Sequence, residues 1–347
     1  MSTDSITVVD RVQRILRLVV PAVALGMVVA IQRIYFNRGL IPGDSFTYLA
    51  AGERLNAGHL LYALSPGDRP VGFEPPFFTV PLLSPPPIAV LFRPLAAMPN
   101  EIGVYVWWIA TILVLAAVIL WMLRERPILV GLGVLLLSIP IVYQIGVGNL
   151  NGLIVAGIVG GWYLLTRRRD LAAGAVFALM TAFKVTPGIF LWWLITQRRW
   201  DAFKAFVVTG LLVLAVSVLG AGVQAHLEYL GIARQTAAAG TTYLSLAGAA
   251  RYVGVPAEIA NLLPTAAIVL GVAAVWLLRA RPGAAYVAAI ITLVAGSPVV
   301  QITWFTILLG VLAPIVWPMP SDARVVAGDS ASRRDTSERS AGATSGA

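Results

Sequence analysis

The sequence contains no cysteine and only two histidines, His59 and His226. The absence of cysteine excludes disulfide frameworks, cysteine-ligated zinc and thiolate nucleophiles. Two histidines are too few for a histidine-rich metal site. Charged residues make up only 12% of the 347 residues, whereas soluble domains carry about 25%. The low charge content therefore argues against a soluble protein.

Long apolar runs dominate the chain, which is 59% hydrophobic and has a mean hydropathy of +0.84. They predict an all-α polytopic membrane protein of about ten transmembrane helices. The first run lacks a small-residue cleavage site, so we interpret it as a retained span rather than a signal peptide. The predicted spans are about 15–34, 102–123, 127–143, 150–166, 171–183, 186–196, 202–220, 260–278, 284–297 and 299–317.

The arginines determine the predicted topology. The segment 82–99, LLSPPPIAVLFRPLAAMP, is apolar enough to cross the membrane, but it contains five prolines and Arg93. If it does not cross, all basic clusters fall on one side, which the positive-inside rule identifies as the cytoplasm. These clusters are Arg11/Arg14/Arg17, Arg124/Arg126, Arg167/Arg168/Arg169, Arg198/Arg199/Lys204 and Arg279/Arg281. The net charge of +9 then reflects membrane topology and predicts no nucleic-acid partner.

This topology predicts a transmembrane domain over 1–317 in the plasma membrane, with both termini in the cytoplasm. The segment 82–99 becomes an interfacial or re-entrant helix within a long first outer loop, 35–101. A second outer loop is predicted at 221–258, and a disordered cytoplasmic tail at 318–347. Polar residues from distant parts of the sequence meet at the outer rim: Asp44, His59, Glu74, Asn149, Asn151, Lys184, Arg251 and Gln301. Such a rim suits a lipid-linked polar substrate.

Asp44 follows Pro42-Gly43 and heads an amphipathic helix that we expect to end at Gly58. Its carboxylate either caps this helix or acts as a general base at the membrane surface. The two roles compete, because hydrogen bonds from backbone N–H groups lower the pKa of a carboxylate. Glu74, in VGFEPPFFTVPLL, is a second candidate acid or a solvated loop charge. His59 is a loop histidine or a ligand of a sugar hydroxyl.

Two cations and two amides are also open to structural or functional interpretations. Lys184, just before Pro187, and Arg251 can extend to the membrane surface without a function. Alternatively, they neutralise a phosphate there. Asn149 and Asn151, in GVGNLNG, either cap the following span or form hydrogen bonds with sugar hydroxyls.

Taken in order, these motifs resemble glycosyltransferase family 87, membrane enzymes of the GT-C class that use polyprenyl-phosphate sugars. The family has an early acid followed by an aromatic-rich helix with a G-x-x-x-Y ending, which Asp44, Tyr48 and Gly58–Tyr62 resemble. Its aromatic and proline-rich outer segment is similar to FEPPFF and PPPIAVLFRPLAAMP. The Lys-x-x-Pro element is intact at Lys184 and Pro187. The Gly-Gln-x-Asn element is present as Gly148-Asn149-Leu150-Asn151, and the Asn-x-Ser-Leu…Arg element as Tyr243-Leu244-Ser245-Leu246 with Arg251. A late Trp-x-His element is missing from SPVVQITWF, which contains Gln301 and Trp304 instead.

The resemblance implies a GT-C-like bundle that transfers a sugar with inversion at the outer leaflet. Asp44 would be the general base, and Lys184 and Arg251 would bind the donor phosphate, with no metal and no cofactor beyond the polyprenyl-phosphate sugar. The implied sugar- or acceptor-binding residues are Asn149, Asn151, Tyr48, His59, Glu74, Ser245 and Gln301. Mannose is the first expected sugar and arabinofuranose the alternative, with a glycolipid or glycan as acceptor and membrane lipids as partners.

Two other functions remain open from the sequence. A lipid or sugar transporter would place polar residues near the bilayer midplane and often repeats one half of its fold. A catalytically inactive family member would serve as an assembly partner.

Overall fold

A computed structural model describes residues 8–36, 42–63, 82–239 and 244–319. Within these ranges all regular elements are helical. Three 3-10 helices, Pro99–Glu101, Thr186–Gly188 and Ile302–Leu312, accompany the α-helices. The α-helices are α1 (Val8–Phe36), α2 (Gly43–Asn56), α3 (Pro86–Ala96), α4 (Ile102–Glu125), α5 (Pro127–Leu136), α6 (Ser138–Val147), α7 (Asn151–Thr166), α8 (Asp170–Phe183), α9 (Ile189–Thr196), α10 (Trp200–Ala239), α11 (Leu246–Tyr252), α12 (Ala257–Ala260), α13 (Leu263–Leu277), α14 (Pro282–Ala295) and α15 (Ala313–Val316).

Several of these helices are long and apolar enough to cross a membrane. In the described ranges the segments of this kind are Asp10–Ile34, Pro99–Glu125, Trp200–Arg234 and Ala257–Leu277. The pair α5 and α6 forms a fifth if its 69° bend lies within one span. The other apolar helices have only 10–17 residues, and 16 residues of helix span about 24 Å. The helical membrane character is confirmed, and helix length supports four or five of the ten predicted spans.

The segment predicted as a second outer loop, 221–258, is mostly helical where the structure describes it. α10 continues to Ala239 through a break at Gly222, whose backbone angles are φ 80° and ψ 161°. Glycine adopts such a conformation at low cost. The residues after the break are rich in alanine, leucine and glutamine, which favour helix over loop. The segment predicted as an outer loop therefore contains the end of α10 together with α11 and the start of α12.

Among the described residues, two apolar clusters hold the bundle together. The larger one surrounds Trp162, Trp193 and Tyr286, which are fully buried between α7, α9 and α14. The smaller one joins α2 and α3 to the start of α4, and in it Phe92 lies 5.4 Å from Tyr48 and 4.8 Å from Trp107, between ring centres. The smaller cluster therefore fixes α2, with Asp44 in its first turn, against the bundle.

Candidate active site

Asp44 lies in the first turn of α2 without capping it. The N-cap position is Pro42, and no side chain of the described residues makes a capping hydrogen bond there. At the other end, Gly58 has a φ of +73°, and the N–H of His59 donates to the Arg54 carbonyl at 2.9 Å. This is the glycine-terminated helix end that the sequence predicts. The cap interpretation of Asp44 is therefore wrong, and its carboxylate is available for another partner.

That partner comes from the turn between α6 and α7. Gly148 adopts a left-handed conformation, with a φ of +65°. Its carbonyl accepts hydrogen bonds from the Ser45 hydroxyl at 3.1 Å and from the Trp107 indole N–H at 3.2 Å. The side-chain amide of Gln144 donates to the next carbonyl, that of Asn149. The turn is thus attached to both α2 and α4.

Asn149 connects the turn directly to the carboxylate. Its Nδ2 donates to Asp44 Oδ2 at 2.5 Å, and its Oδ1 accepts from the backbone N–H of Asn151 at 2.9 Å. Asn151 in turn accepts a hydrogen bond from Lys184 Nζ at 2.6 Å and donates to Thr303 Oγ1 at 3.3 Å. Asp44, Asn149, Asn151 and Lys184 form one hydrogen-bonded chain, which we call the Asp44–Lys184 cluster.

Lys184 lies in the turn that follows α8. Its ammonium is 3.4 Å from the centre of the Trp304 ring, a distance at which the face of an indole attracts a cation. The other contact is the neutral amide oxygen of Asn151. Neither contact neutralises the charge, so the ammonium can still pair with an anion.

Burial changes the proton affinities of both ends of the cluster. Burial raises the pKa of Asp44 above its ordinary value, while the Asn149 hydrogen bond and the Lys184 charge act in the opposite direction. Burial lowers the pKa of Lys184 to about 7, and the Asp44 charge partly offsets this. A carboxylate with a raised pKa is a stronger base than an ordinary aspartate.

The cluster lies at the opposite end of the helices from the arginines. α7 begins at Asn151 and ends just before Arg167. α8 begins at Asp170, which Arg199 contacts at 3.2 Å, and ends just before Lys184. The polar cluster and the basic helix ends are therefore separated by the length of the bundle, as the sequence predicts.

The structure places other predicted site residues away from these hydrogen bonds. Tyr48 is buried one helical turn after Asp44, and His59 is exposed beyond the end of α2. Gln301 is exposed and directly precedes the 3-10 helix Ile302–Leu312. Glu74 lies outside the described residues.

Two further predicted residues lie in the hairpin of α11 and α12. Ser245 is fully buried and caps α11, its hydroxyl accepting from the N–H of Gly248 at 3.0 Å. Arg251 donates to the side chain of Asn261. Among the described residues, the hydrogen bonds that join Asp44 to Lys184 do not include Arg251.

Several residues of the site were not identified from the sequence. Gln144 is a single amide in the apolar stretch SIPIVYQIGV, and such a residue in a predicted span is a signal in itself. Ser45, Trp107 and Thr303 carry no such signal, because hydroxyl and indole groups are common at helix ends. Their roles depend on tertiary contacts with residues far away in the sequence.

An apolar cavity of about 150 Å³ lies between the helices of the bundle. Leucine, isoleucine, valine and alanine side chains of α1, α4, α5 and α6 line it, among them Leu25, Ile112 and Ile145. The Ile145 carbonyl accepts from the Trp108 indole N–H, and Gln144 next to it binds Asn149. One residue that lines the cavity, Ile145, thus directly follows the residue that binds the turn of the cluster.

Comparison with known protein families gives a match to glycosyltransferase family 87 over residues 83–318. The matched region contains Asn149, Asn151 and Lys184 and begins after Asp44. Comparisons with curated proteins and with solved structures give no significant match. Because the match covers more than half of the 347 residues, the chain belongs to glycosyltransferase family 87, a family of sugar-transferring enzymes.

Proposed function

We propose that this protein transfers a sugar from a polyprenyl-phosphate donor to a hydroxyl group of a lipid-linked or glycan acceptor, with inversion at the anomeric carbon. The observation that carries the proposal is the Asp44–Lys184 cluster. One hydrogen-bonded chain joins a carboxylate to an ammonium that makes no direct ion pair within the described residues. Inverting transfer from a phosphate requires a base at the acceptor and a cation at the leaving group.

In the proposed reaction the acceptor hydroxyl gives its proton to Asp44, and its oxygen attacks the anomeric carbon. The bond between that carbon and the phosphate oxygen breaks, and both bonding electrons stay with the polyprenyl phosphate. The Lys184 ammonium stabilises the charge that develops on this oxygen. The proton ends on the Asp44 carboxyl group. Lys184 supplies the positive charge, so the step as written includes no metal.

The donor is placed by its two chemically different parts. Its phosphate pairs with Lys184, and the apolar cavity of about 150 Å³ between α1, α4, α5 and α6 is proposed to take isoprene units of the tail, whose burial is favourable. Arg251 is proposed as a second cation for the phosphate. Its hydrogen bond to Asn261 would then be exchanged for one to the donor.

The site is proposed to face the outer leaflet of the plasma membrane. The support is the separation of the cluster from the helix ends that carry Arg167 and Arg199, together with the excess of arginine on cytoplasmic loops. Both termini would then lie in the cytoplasm. Mannose is the proposed sugar, and arabinofuranose is the alternative that the same site chemistry allows.

The test is a donor panel with the purified, detergent-solubilised protein. Polyprenyl-phosphate mannose, polyprenyl-phosphate arabinofuranose and a nucleotide sugar are each incubated with a membrane lipid extract, and products are analysed by mass spectrometry and by anomeric configuration. We expect transfer from one of the lipid-linked donors with inverted configuration. Transfer only from the nucleotide sugar, or from no donor, would contradict the proposal, and the latter would favour an inactive assembly partner.

A further inference from the structure

Within the cluster, Asn149 makes the direct hydrogen bond to the Asp44 carboxylate. Its Nδ2 holds Asp44 Oδ2. Within the described residues, no hydrogen bond joins a protein donor to Asp44 Oδ1. We propose that Asn149 is the positioning residue of Asp44: it fixes Oδ2 and leaves Oδ1 to accept the proton of the acceptor hydroxyl. This inference rests on the proposed function, since it concerns the same base.

The contacts of Asn149 distinguish this role from sugar binding. Its side chain is nearly buried, and the residue is 8% exposed. Its single carbonyl oxygen already accepts from the Asn151 N–H, and its amide already donates to Asp44. Both polar groups of the side chain are thus engaged within the protein, and the burial of the side chain limits its access to a sugar hydroxyl. The geometry therefore assigns Asn149 to the protein side of the site.

The backbone that carries Asn149 is held from several directions. The preceding carbonyl, that of Gly148, accepts from Ser45 and Trp107, and the Asn149 carbonyl accepts from Gln144. Ser45 is the residue next to Asp44, so α2 and the turn are bound together by two adjacent side chains. A base held in this way is preorganised and needs no reorientation when the acceptor binds.

Backbone N–H groups at the start of α2 compete with Asn149 for the carboxylate of Asp44. A carboxylate in the first turn of a helix can bind the free backbone N–H groups of that turn, which attract negative charge. Such bonds would occupy its oxygens and weaken it as a base. In the structure Asn149 holds the carboxylate instead, and the N-terminus of α2 receives no side-chain cap. Asn149 thus keeps the carboxylate on the side of the turn.

The test measures kcat, KM and the pH profile of Asn149→Ala. A charge-assisted hydrogen bond contributes a factor of about 10 to 100, so we expect kcat to fall by that factor with little change in donor KM. The hydrogen bond from Asn149 lowers the pKa of Asp44, so its loss should move the acidic limb of the profile to higher pH. The titratable neighbours Lys184 and Tyr48 are unchanged.

Two further variants keep the inference testable if alanine impairs folding. Asn149→Asp retains the shape and the Oδ1 acceptor but replaces the donor by a second carboxylate, so its acidic limb should move further than that of alanine. Thr47→Ala is the matched control, because the Thr47 hydroxyl donates to the Gly43 carbonyl within α2 and not to the turn that carries Asn149. We expect it to reduce thermal stability slightly and to leave the acidic limb in place.

The outcomes separate this inference from the proposed function. If Asp44→Asn is inactive while Asn149→Ala keeps the kcat and pH profile of the wild type, the positioning role of Asn149 is wrong. The assignment of Asp44 as general base is then still supported. An effect confined to acceptor KM would identify Asn149 as a sugar ligand and also overturn the inference. Full activity of Asp44→Asn would contradict the proposed function itself. In the Asp44→Asn background, Asn149→Ala should cause no further loss, because the two residues act as one unit.

Discussion

The ammonium of Lys184 lies 3.4 Å from the centre of the Trp304 ring, while its hydrogen bond goes to the neutral side chain of Asn151. The indole face attracts the cation without neutralising it. In its protonated form Lys184 can therefore still bind an anionic group of the substrate. Trp304 was noted in the sequence only because it stands in a motif that lacks a histidine, and the structure gives it a direct contact with the proposed phosphate-binding group.

The first prediction concerns Trp304→Leu. A cation–π contact contributes about 0.5–2 kcal/mol, so we expect kcat/KM for the lipid-linked donor to fall by about 2- to 30-fold. Trp304→Phe keeps an aromatic face and should lose less. Trp200→Leu, an exposed tryptophan near the arginine end of the bundle, is the control and should behave as wild type. Equal kinetics of Trp304→Leu and wild type would show that Trp304 does not contribute to donor binding.

The second prediction concerns the turn that carries Asn149. A Cβ atom at Gly148 would overlap the Ser45 hydroxyl, and its φ of +65° is unfavourable for alanine. Gly148→Ala should therefore lower the free energy of unfolding by roughly 1–3 kcal/mol, measured by thermal unfolding in detergent.

Gly58→Ala is the matched control for Gly148→Ala. Gly58 has a similar φ of +73°, and a Cβ there would meet nothing within 4 Å. Its substitution should cost about 1 kcal/mol and preserve activity. If the two variants lost the same stability, the close packing of the turn on α2 would be contradicted.

The third prediction is a pH dependence with two limbs. The base works when Asp44 is ionised, and burial raises its pKa, so activity should fall with decreasing pH well before the range in which an exposed aspartate is protonated. Lys184 binds phosphate when protonated, and its pKa is lowered to about 7, so kcat/KM for the donor should fall as pH rises through about 7. Initial rates across the pH range check both limbs. A profile that stays flat through pH 7 would contradict the role of Lys184.

Local features of the sequence were sufficient to predict much of the helical framework. The helix after Pro42 ends at Gly58 as predicted, because a glycine at this position stops a helix by its own conformational freedom. The helix within 82–99 and the turn at Lys184–Pro187 also follow from short-range signals. The number of membrane crossings could not be predicted, because an apolar helix of 10–17 residues has the same sequence pattern whether it crosses the membrane or packs inside the bundle.

Long-range contacts could not be predicted from the sequence. Asn149 lies 105 residues after Asp44, and no pattern links the two. Local sequence favoured a helix cap for Asp44, but the actual partner arrives from a turn that Ser45 and Trp107 bind. The predicted topology did place Asp44, Asn149, Asn151 and Lys184 at one end of the bundle, because the arginine clusters determine the side of every connecting loop.

The fourth prediction concerns the side of the membrane. The chain has no cysteine, so a single introduced cysteine reports its own location. Ala57→Cys, exposed at the end of α2, should react with an impermeant thiol reagent in intact cells, and Arg168→Cys, exposed at the opposite end of the bundle, should react only after permeabilisation. The reverse labelling pattern would place the site in the cytoplasm.

The most direct measurement is the rate of sugar transfer by Asp44→Asn, compared with Glu53→Gln. Glu53 is an exposed carboxylate on the same helix, so the pair separates the role of Asp44 from a general loss of negative charge. Loss of a general base lowers kcat by about 10²- to 10⁴-fold. We expect this loss for Asp44→Asn, with unchanged folding and membrane insertion, and full activity for Glu53→Gln. Wild-type turnover of a polyprenyl-phosphate sugar by Asp44→Asn would contradict the account.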